Sequence, residues 1–344
     1  MIKKDLVSSV VLNWNGKDII LPCLRSLLAQ TYLAHEIILV DNGSSDGSFE
    51  LIEQEFRGRL VILRHPKNLG FAEGVNTGAA HSRGEFLALL NSDAVADKNW
   101  LEELVRKMKS EDAIGMCASK VYLADRQGIL DNTGELLGRD GLNRTRGRLE
   151  EDRGQYDSSH DVLAPSGCAA LYRRNMFDQI GGFDKYFFAY GDDMDLGLRG
   201  RMRGYRAAYV PKAIVYHKLS ASAGVVSSFK AYHVERNRLW IVLRCFPLRH
   251  LVFSPLYTAV RYFYSLCGLL NKKGPAAQFA KKSSPLALIA ILLKVYLSTL
   301  LFLPYLLRER SKIQKTSRWK YPEFEDCFRR YGLSARDAAL REVL

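Results

Sequence analysis

The sequence of 344 residues predicts an α/β fold whose first part is built on parallel β-strands. Short apolar segments alternate with helical patterns, as they do in βαβ units. Polar, turn-rich segments follow several of the apolar ones. Apolar residues make up 47% of the chain, which is enough for a substantial buried core.

The predicted elements follow one another closely up to residue 90. They are a strand (6–12), a helix (18–29), a strand (36–40), a helix (49–56), a strand (60–64), a helix (71–81) and a strand (86–90). Ligands of such sheets bind beyond the carboxyl ends of the strands, so the loops 13–16, 41–48 and 91–94 predict one pocket. Residues 125–160 predict a hairpin or a mobile loop over it, and residues 225–245 predict a helix.

The net charge of +13 is distributed unevenly. Residues 1–160 carry a net charge of −4, whereas residues 161–344 carry +17. Residues 236–320 contain 16 basic side chains and one acid, Glu309. Because this basic segment is also the most apolar one, it favours an anionic membrane surface as partner, and we expect no nucleic-acid partner.

Two apolar stretches, 251–270 and 286–307, are long enough to span a membrane. The first carries a polar stripe, which favours a helix lying in the interface or docked on protein. The four lysines between the stretches argue against two crossings. We therefore expect amphipathic or re-entrant helices on one leaflet. The stripe consists of Ser254, Thr258, Arg261 and Ser265, and the lysines are Lys272, Lys273, Lys281 and Lys282.

Six motifs occur in a fixed order between residues 10 and 220. They are VVLNWNG (10–16), VDNGSSDGS (40–48), NLGFAEGVN (68–76), LLNSDAV (89–95), GGFDKYFFAYGDDMDLGLR (181–199) and VYHKLS (215–220). Together they resemble family 2 glycosyltransferases with the GT-A fold, in particular the bacterial rhamnosyltransferase-like branch. The resemblance covers about residues 5–245.

The resemblance implies a nucleotide-diphospho-sugar transferase fold with a Rossmann-like mixed sheet. The catalytic domain is expected over 1–235, with a nucleotide-binding half (1–125) and an acceptor-binding half (126–235). A helical membrane-associated region (236–320) and a C-terminal tail (321–344) complete the expected organisation.

Asp41 ends the second strand, where a carboxylate either caps an Asx-turn or accepts hydrogen bonds from a nucleoside. The matching residue of the resembling family contacts the nucleoside. Residues 68–76 form either an ordinary loop and helix or, by the resemblance, part of the donor site. The implied nucleotide-sugar contacts are Asn13, Asn15, Asp41, Asn42, Ser44, Asn68, Gly70, Asn76, Asn91 and Ser92.

The Asp-x-Asp pattern of the family is altered here, because Asn91 occupies its first position. Asp93 keeps the metal-binding position, and a hard cation there would neutralise the diphosphate leaving group. By the resemblance His217 completes a Mg²⁺ or Mn²⁺ site, although a lone histidine can also be structural. The loop arginines either meet a pyrophosphate or are mostly solvated; they are Arg144, Arg146, Arg148 and Arg153.

Three carboxylates open a helix at residues 192–195. Asp192 can be its N-cap, and Asp195 can pair with Arg199 at i+4. Asp193 then has no structural role, and it matches the position of the family's general base. Asp192 and Gly167 are expected on the acceptor side.

The expected activity is an inverting, metal-dependent transfer of a sugar from a nucleotide-sugar to a polyprenyl-diphosphate-linked acceptor. The branch implies L-rhamnose from dTDP-rhamnose, and a UDP-sugar is the alternative donor. The rival hypotheses are a nucleotidyltransferase and an inactive membrane scaffold. No secretory signal is evident, so we expect the cytoplasmic face of the inner membrane, with peripheral or monotopic attachment.

Overall fold

The structure is a computed structural model that describes residues 1–218, 227–282 and 284–341. It divides into two compact units. Unit 1 comprises Met1–Glu135, Thr145–Arg201 and Tyr205–Ser222, and unit 2 comprises Leu136–Arg144, Met202–Gly204 and Ala223–Leu344. Two residues of the last motif, Leu219 and Ser220, lie outside the described residues.

The strands are short except for β1, β6 and β12. They are β1 (Lys3–Asn13), β2 (His35–Asp41), β3 (Val61–Arg64), β4 (Gly84–Leu90), β5 (Ala94–Ala96), β6 (Ile114–Leu123), β7 (Leu130–Asn132), β8 (Glu135–Gly138), β9 (Asn143–Thr145), β10 (Asp161–Val162), β11 (Ala169–Arg173), β12 (Arg206–His217) and β13 (Gly332–Leu333).

The helices divide between the two units. Unit 1 contains α1 (Ile20–Leu28), α2 (Ser48–Phe56), α3 (Phe71–His81), α4 (Trp100–Lys109), α5 (Arg174–Gln179) and most of α6 (Asp192–Met202). Unit 2 contains α7 (Ser228–Cys245), α8 (Leu248–Leu270), α9 (Gly274–Ala280), α10 (Pro285–Leu301), α11 (Leu303–Thr316), α12 (Tyr321–Tyr331) and α13 (Ala335–Leu340).

Unit 1 is built on one mixed sheet with the strand order β3-β2-β1-β4-β11-β6-β12-β10. Strands β1 to β4 pair in parallel, as the alternation of strands and helices predicts. Strand β11 lies antiparallel between β4 and β6, which makes the sheet mixed. Strand β7 returns along β6 as a hairpin, one of the two predicted forms for residues 125–160.

Helices cover both faces of this sheet, so unit 1 has three layers. On β1, Val7 and Val11 pack into one buried cluster, whereas Val10 packs into the other. This division follows from the two-residue period of a strand, which turns successive side chains to opposite faces. The core of unit 1 therefore holds the strand ends, and the loops that follow them, in fixed positions.

Unit 2 is mainly helical and carries a small sheet of β8, β9 and β13. The apolar stretch 286–307 does not form one helix, because α10 ends at Leu301 and α11 begins at Leu303 with a bend of 63°. Pro304 lies in the first turn of α11, where its ring cannot continue the helix that precedes it. Among the described residues no single helix has the length and hydropathy of a membrane span, although this bent pair does by those two criteria.

Candidate active site

Three polar loops meet at the carboxyl edge of the parallel strands in unit 1. Asn13 ends β1 directly beside Asp41, which ends β2, because the two strands are paired in parallel register. Asn91 follows β4, the other parallel neighbour of β1. The pocket predicted from strand alternation therefore has its three loops at one edge of the sheet.

Asn13 and Asp41 form a fully buried pair at the base of this edge. The amide of Asn13 donates to the Asp41 carboxylate (2.9 Å) and to the hydroxyls of Ser44 (3.1 Å) and Ser48 (2.9 Å). The second oxygen of Asp41 accepts from the Ser44 backbone N–H (3.1 Å). That oxygen also lies 3.6 Å from the Arg64 guanidinium. Asp41 therefore holds its own loop in place, and its predicted contact with a nucleoside stays a prediction.

Asn15 is joined to the same loop by two hydrogen bonds. Its backbone N–H donates to the Ser44 hydroxyl (2.9 Å), and its side-chain oxygen accepts from the Ser45 N–H (2.9 Å). The backbone of Asn15 is in the left-handed region, with φ at 50°. Asparagine tolerates this conformation better than most residues, which explains its use in this turn.

Asn42 connects the loop after β2 to the start of α3. Its amide donates to the Asn68 side chain (2.9 Å) and to the Gly70 carbonyl (3.1 Å), and its oxygen accepts from the Leu69 N–H (3.1 Å). Gly70 has φ at +87°, and a Cβ added there would lie 2.6 Å from the Phe188 carbonyl oxygen. Only glycine fits this close approach, so the segment predicted to bind the donor has a fixed backbone.

Asn76 has a structural partner on the loop that contains the GGFD sequence. Its amide donates to the Phe183 carbonyl (2.8 Å), and its oxygen accepts from the Phe183 N–H (3.0 Å). The side chain thus uses both ends to join α3 to this loop. Its predicted contact with the sugar stays a prediction.

The loop after β4 is held through its backbone. The Asn91 N–H donates to the Cys168 carbonyl (2.8 Å), and the Asn91 carbonyl accepts from the Ala94 N–H (3.0 Å). Asn91 and Ser92 are both half-buried, so their side chains remain partly accessible. The backbone contacts orient the residue that follows, Asp93.

Asp93 and His217, the two predicted metal ligands, lie together. Strand β12 pairs antiparallel with β5 and places His217 opposite Ala94, the residue after Asp93. The Nε2 atom of His217 lies 3.1 Å from an Asp93 carboxylate oxygen. Two residues separated by 124 positions in the chain therefore form one donor pair.

Asp131 fixes the orientation of this histidine. Its carboxylate lies 2.8 Å from Nδ1 of His217 and forms an ion pair with Arg148 through its other oxygen. Burial of the ring by itself lowers the pKa of His217. The adjacent Cys168 and the hydrogen bonds to Asp131 and Asp93 raise that pKa by more than burial lowers it, so the pKa of His217 lies well above its usual value. The Nδ1–H bond to Asp131 leaves Nε2 directed towards Asp93.

The donor pair fits a divalent cation as part of a shared coordination sphere. No group of three or more His, Cys, Asp or Glu side chains able to enclose a metal occurs in the described part of the chain. Asp93 and His217 supply one carboxylate oxygen and one imidazole nitrogen, a set that suits Mn²⁺ or Mg²⁺ when phosphate oxygens and water fill the other positions. Asp131 supplies the hydrogen bond that usually orients a ligating histidine.

Asp193 is the second residue of α6 and lies beside Gly167. Its carboxylate accepts hydrogen bonds from the backbone N–H groups of Gly167 (3.1 Å) and Met194 (2.8 Å). Burial raises the pKa of Asp193 above its usual value, although these two N–H groups act in the opposite direction. The structure thus brings the predicted base and the predicted acceptor-side residue Gly167 into direct contact.

The remaining carboxylates of α6 have other environments. Asp195 pairs with Arg199 at 2.8 Å, as predicted. The prediction that Asp192 is the N-cap is wrong by one residue, because the Asp195 N–H donates to the Gly191 carbonyl and the helix begins at Asp192. Asp192 is buried, and burial together with the charge of Asp193 raises its pKa well above the usual value.

Two of the loop arginines bind other side chains of the protein, which differs from the alternative that these arginines are mostly solvated. Arg148 pairs with Asp131, and Arg146 donates to Thr133 and lies 4.7 Å from the ring centre of Tyr156. Sequence reasoning missed Asp131 altogether, because residues 125–160 lack the periodicity that would locate it. The one sequence feature that could have indicated Asp131 is the short polar sequence DNTG (131–134), which follows the apolar residue Leu130.

Comparison with known proteins gives a consistent result. Residues 8–181 match the family model described as glycosyl transferase family 2. The O-antigen biosynthesis protein RfbC of Myxococcus xanthus is 30% identical over 225 residues, which are 63% of this chain and 17% of that protein. The N-acetylglucosaminyl-diphospho-decaprenol L-rhamnosyltransferase of Mycobacterium tuberculosis is 29% identical over 62% of this chain and 78% of its own length.

Solved structures resemble the chain at low sequence identity. The mannosyltransferase PcManGT from Pyrobaculum calidifontis, in complex with GDP-Man and Mn²⁺, has a TM-score of 0.53 at 19% identity, covering 90% of this chain and 85% of that one. GalNAc-T7 with UDP, GalNAc and Mn²⁺ has a TM-score of 0.59 at 16% identity, over 75% of this chain and 50% of that one. S. aureus TarS 1–349 with UDP has a TM-score of 0.52 at 19% identity, over 94% and 91%.

Proposed function

The chain belongs to glycosyl transferase family 2 and has the mixed-sheet GT-A fold, and from this premise we propose that it is an inverting transferase that uses Asp193 as its base. In this reaction an acceptor hydroxyl oxygen attacks the anomeric carbon of the donor while the bond to the diphosphate breaks. The hydroxyl proton passes to the Asp193 carboxylate. The new glycosidic bond forms on the face opposite the departing diphosphate, so the configuration inverts.

The geometry of Asp193 is the observation that carries this proposal. Its carboxylate is half-buried at the start of α6 and is held by two backbone N–H groups. Held in this way, the carboxylate is oriented in advance for a proton-transfer step. Burial raises its pKa, which makes a carboxylate a stronger base.

We propose further that Asp93 and His217 hold a divalent cation, Mg²⁺ or Mn²⁺. Such a cation neutralises the charge that develops on the leaving diphosphate. The pairing of the two side chains supports this assignment, and two of the similar structures contain Mn²⁺. Asp131 would keep the proton on Nδ1 of His217, so that the ion would displace only the proton on Nε2.

For the donor and acceptor, we propose dTDP-L-rhamnose and a polyprenyl-diphosphate-linked glycan. The name of the mycobacterial relative describes transfer of L-rhamnose to a decaprenyl-diphosphate-linked sugar. The Myxococcus relative is named for O-antigen biosynthesis, which agrees with a role in a bacterial surface polysaccharide. A UDP-sugar is the alternative donor, since two of the similar structures contain UDP.

A lipid-linked acceptor requires the enzyme to work at a membrane. We propose the cytoplasmic face of the inner membrane, with attachment through unit 2. The 16 basic residues against one acid in 236–320 support attraction to an anionic leaflet.

One assay separates this activity from its rivals. The purified protein is incubated with a panel of dTDP-, UDP- and GDP-sugars and a synthetic lipid-linked acceptor, and the release of nucleoside diphosphate is measured. Transfer from one donor, abolished by EDTA and restored by Mn²⁺ or Mg²⁺, supports the proposal. A parallel incubation with nucleoside triphosphates and sugar 1-phosphates tests for a nucleotidyltransferase, which would release pyrophosphate as it forms the nucleotide-sugar. No turnover in either incubation would favour an inactive scaffold.

A further inference from the structure

Helix α8 of unit 2 is oriented with its polar side chains facing the protein. Ser254, Thr258 and Arg261, three members of the predicted polar stripe, are 3–6% exposed. A helix on the surface of a water-soluble protein has the opposite orientation, with its polar face in solvent. The orientation of α8 therefore requires a specific cause.

That cause is a network of buried charges beneath the helix. Arg261 contacts the Asp140 carboxylate at 2.5 Å and both carboxylate oxygens of Glu235 at 2.9 and 3.0 Å. Arg238 of α7 pairs with Glu235 at 2.6 Å and donates to the Thr258 hydroxyl at 3.2 Å. Because a buried unpaired guanidinium is strongly unfavourable, these contacts fix the rotation of α8 about its axis.

The fixed rotation turns an apolar surface outwards. Between Val252 and Leu270 every exposed residue of α8 is apolar. Val252 is 70% exposed and Phe263 is 62% exposed. We define the α8 apolar face as the large side chains of this set, which are Val252, Phe253, Leu256, Val260, Phe263, Leu266 and Leu270.

A continuous helical row of seven large exposed apolar side chains marks an interaction site rather than an ordinary surface. The charges next to it indicate the partner. Arg249 precedes the face, and Lys272 and Lys273 follow it, whereas the sequence from 236 to 308 contains no acidic residue. A surface with apolar side chains between basic ones complements the acyl region and the anionic headgroups of a bilayer.

Helix α10 repeats this pattern independently. From Leu286 to Leu301 its exposed residues are hydrophobic, counting Tyr296 among them, except for Lys294, and they include Leu286 at 73% and Leu301 at 71% exposure. The ammonium group of Lys294 lies 4.8 Å from the ring centre of Tyr232 on α7. A lysine held in this way keeps its charge off the apolar side, as expected for a helix that contacts lipid.

We propose that the α8 apolar face is the part of unit 2 that inserts into one leaflet of an anionic phospholipid bilayer, with the buried network holding it in the inserting orientation. This inference deepens the proposed membrane location and names the elements responsible. It does not depend on the identity of the sugar donor.

The test is flotation of the full chain with vesicles, without donor or acceptor. Wild type is expected to float with vesicles of phosphatidylglycerol and phosphatidylcholine, and less with phosphatidylcholine alone. The triple variant Leu256→Ser, Phe263→Ser, Leu266→Ser is expected to lose at least about tenfold in vesicle partitioning. A matched variant of exposed apolar residues in unit 1, Ile2→Ser, Leu33→Ser, Val61→Ser, is expected to float like wild type.

Three results would overturn the inference. The first is that the wild type fails to bind anionic vesicles, and the second is that the α8 triple variant floats as well as the wild type. The third is that the lipid-free wild type is a dimer and the triple variant a monomer, which would identify a second copy of the chain as the partner. Release of nucleoside diphosphate is measured separately, with donor added to aliquots of the same protein preparations. In the wild type, absence of that activity with flotation intact refutes the proposed transferase, whereas absence of flotation with activity intact refutes only the membrane face.

Discussion

Replacement of Asp193 by asparagine tests the proposed mechanism most directly. Each oxygen of the carboxylate accepts one backbone N–H, from Gly167 at 3.1 Å and Met194 at 2.8 Å. An asparagine side chain has one acceptor oxygen, so one of these N–H groups loses its partner in either orientation of the amide. At a half-buried site, this lost hydrogen bond lowers the free energy of unfolding by about 1 kcal/mol, which is at the lower end of the range for an unsatisfied buried group.

The effect on the rate should be much larger than the effect on stability. An amide cannot take the hydroxyl proton, so we expect turnover to fall by about 10²- to 10⁴-fold. The melting temperature should fall by only about 2–4 °C for a domain of this size. Nucleotide binding should be nearly unchanged, because Gly167 and Met194, which donate to the Asp193 carboxylate, are not among the residues predicted to hold the nucleotide. The assays are nucleoside diphosphate release, thermal unfolding and calorimetric titration with the nucleotide.

The pH dependence adds a second readout. The base must be ionised, and burial raises the pKa of Asp193, so the wild-type rate should decline on acidification at a higher pH than an ordinary aspartate would give. The control Asp178→Asn alters an exposed carboxylate paired with Arg174 on α5 and should leave the rate unchanged. Near-wild-type turnover of Asp193→Asn at saturating substrate would refute the assignment of the base.

Three further predictions concern other parts of the chain. Asp192 is buried and its pKa is raised, so the folded state retains a proton that the unfolded state loses as pH rises. Asp192→Asn should therefore be more stable than wild type at pH 8, by at least about 1 kcal/mol in the free energy of unfolding measured by chemical denaturation. This difference should shrink towards pH 4. Asp93→Ala should weaken Mn²⁺ binding by about tenfold or more, measured by paramagnetic resonance in the presence of nucleoside diphosphate. Glu235→Ala leaves Arg238 and Arg261 with one of their two shared carboxylates, Asp140, and should destabilise unit 2 by about 3 kcal/mol, measured by hydrogen exchange of α8.

The sequence alone predicts the first half of the sheet well. Strands β1 to β4 and the helices between them lie within about three residues of their predicted bounds, and α3 (Phe71–His81) agrees at both ends. These elements have strong local periodicity, and local periodicity is sufficient where strand and helix alternate. Local periodicity does not predict that β11 lies between β4 and β6, because β11 and β4 are about 80 residues apart in the chain. Only the resemblance to a family implied a mixed sheet.

The sequence predicts the residues of the candidate site but not which side chains they contact. Asn13, Asp41, Asp93, His217 and Asp193 are all evident from motifs in the sequence. The pairing of Asp93 with His217 depends on the register of β12 against β5. That register follows from the packing of the whole sheet, and so does the contact between Asp131 and His217. No sequence spacing encodes such contacts.

For α8, the sequence determined the composition of both faces, and the tertiary structure decided their direction. The polar stripe is visible in the spacing of Ser254, Thr258 and Arg261, which allows the stripe to face either water or protein. Glu235 and Asp140 decide between these, because they offer charges that Arg261 meets only after α7 and the segment at 140 have packed together. These partners lie 26 and 121 residues from Arg261 in the chain. The energy of a buried ion pair depends on such long-range placement, so the outward apolar face of α8 is a property of the folded molecule.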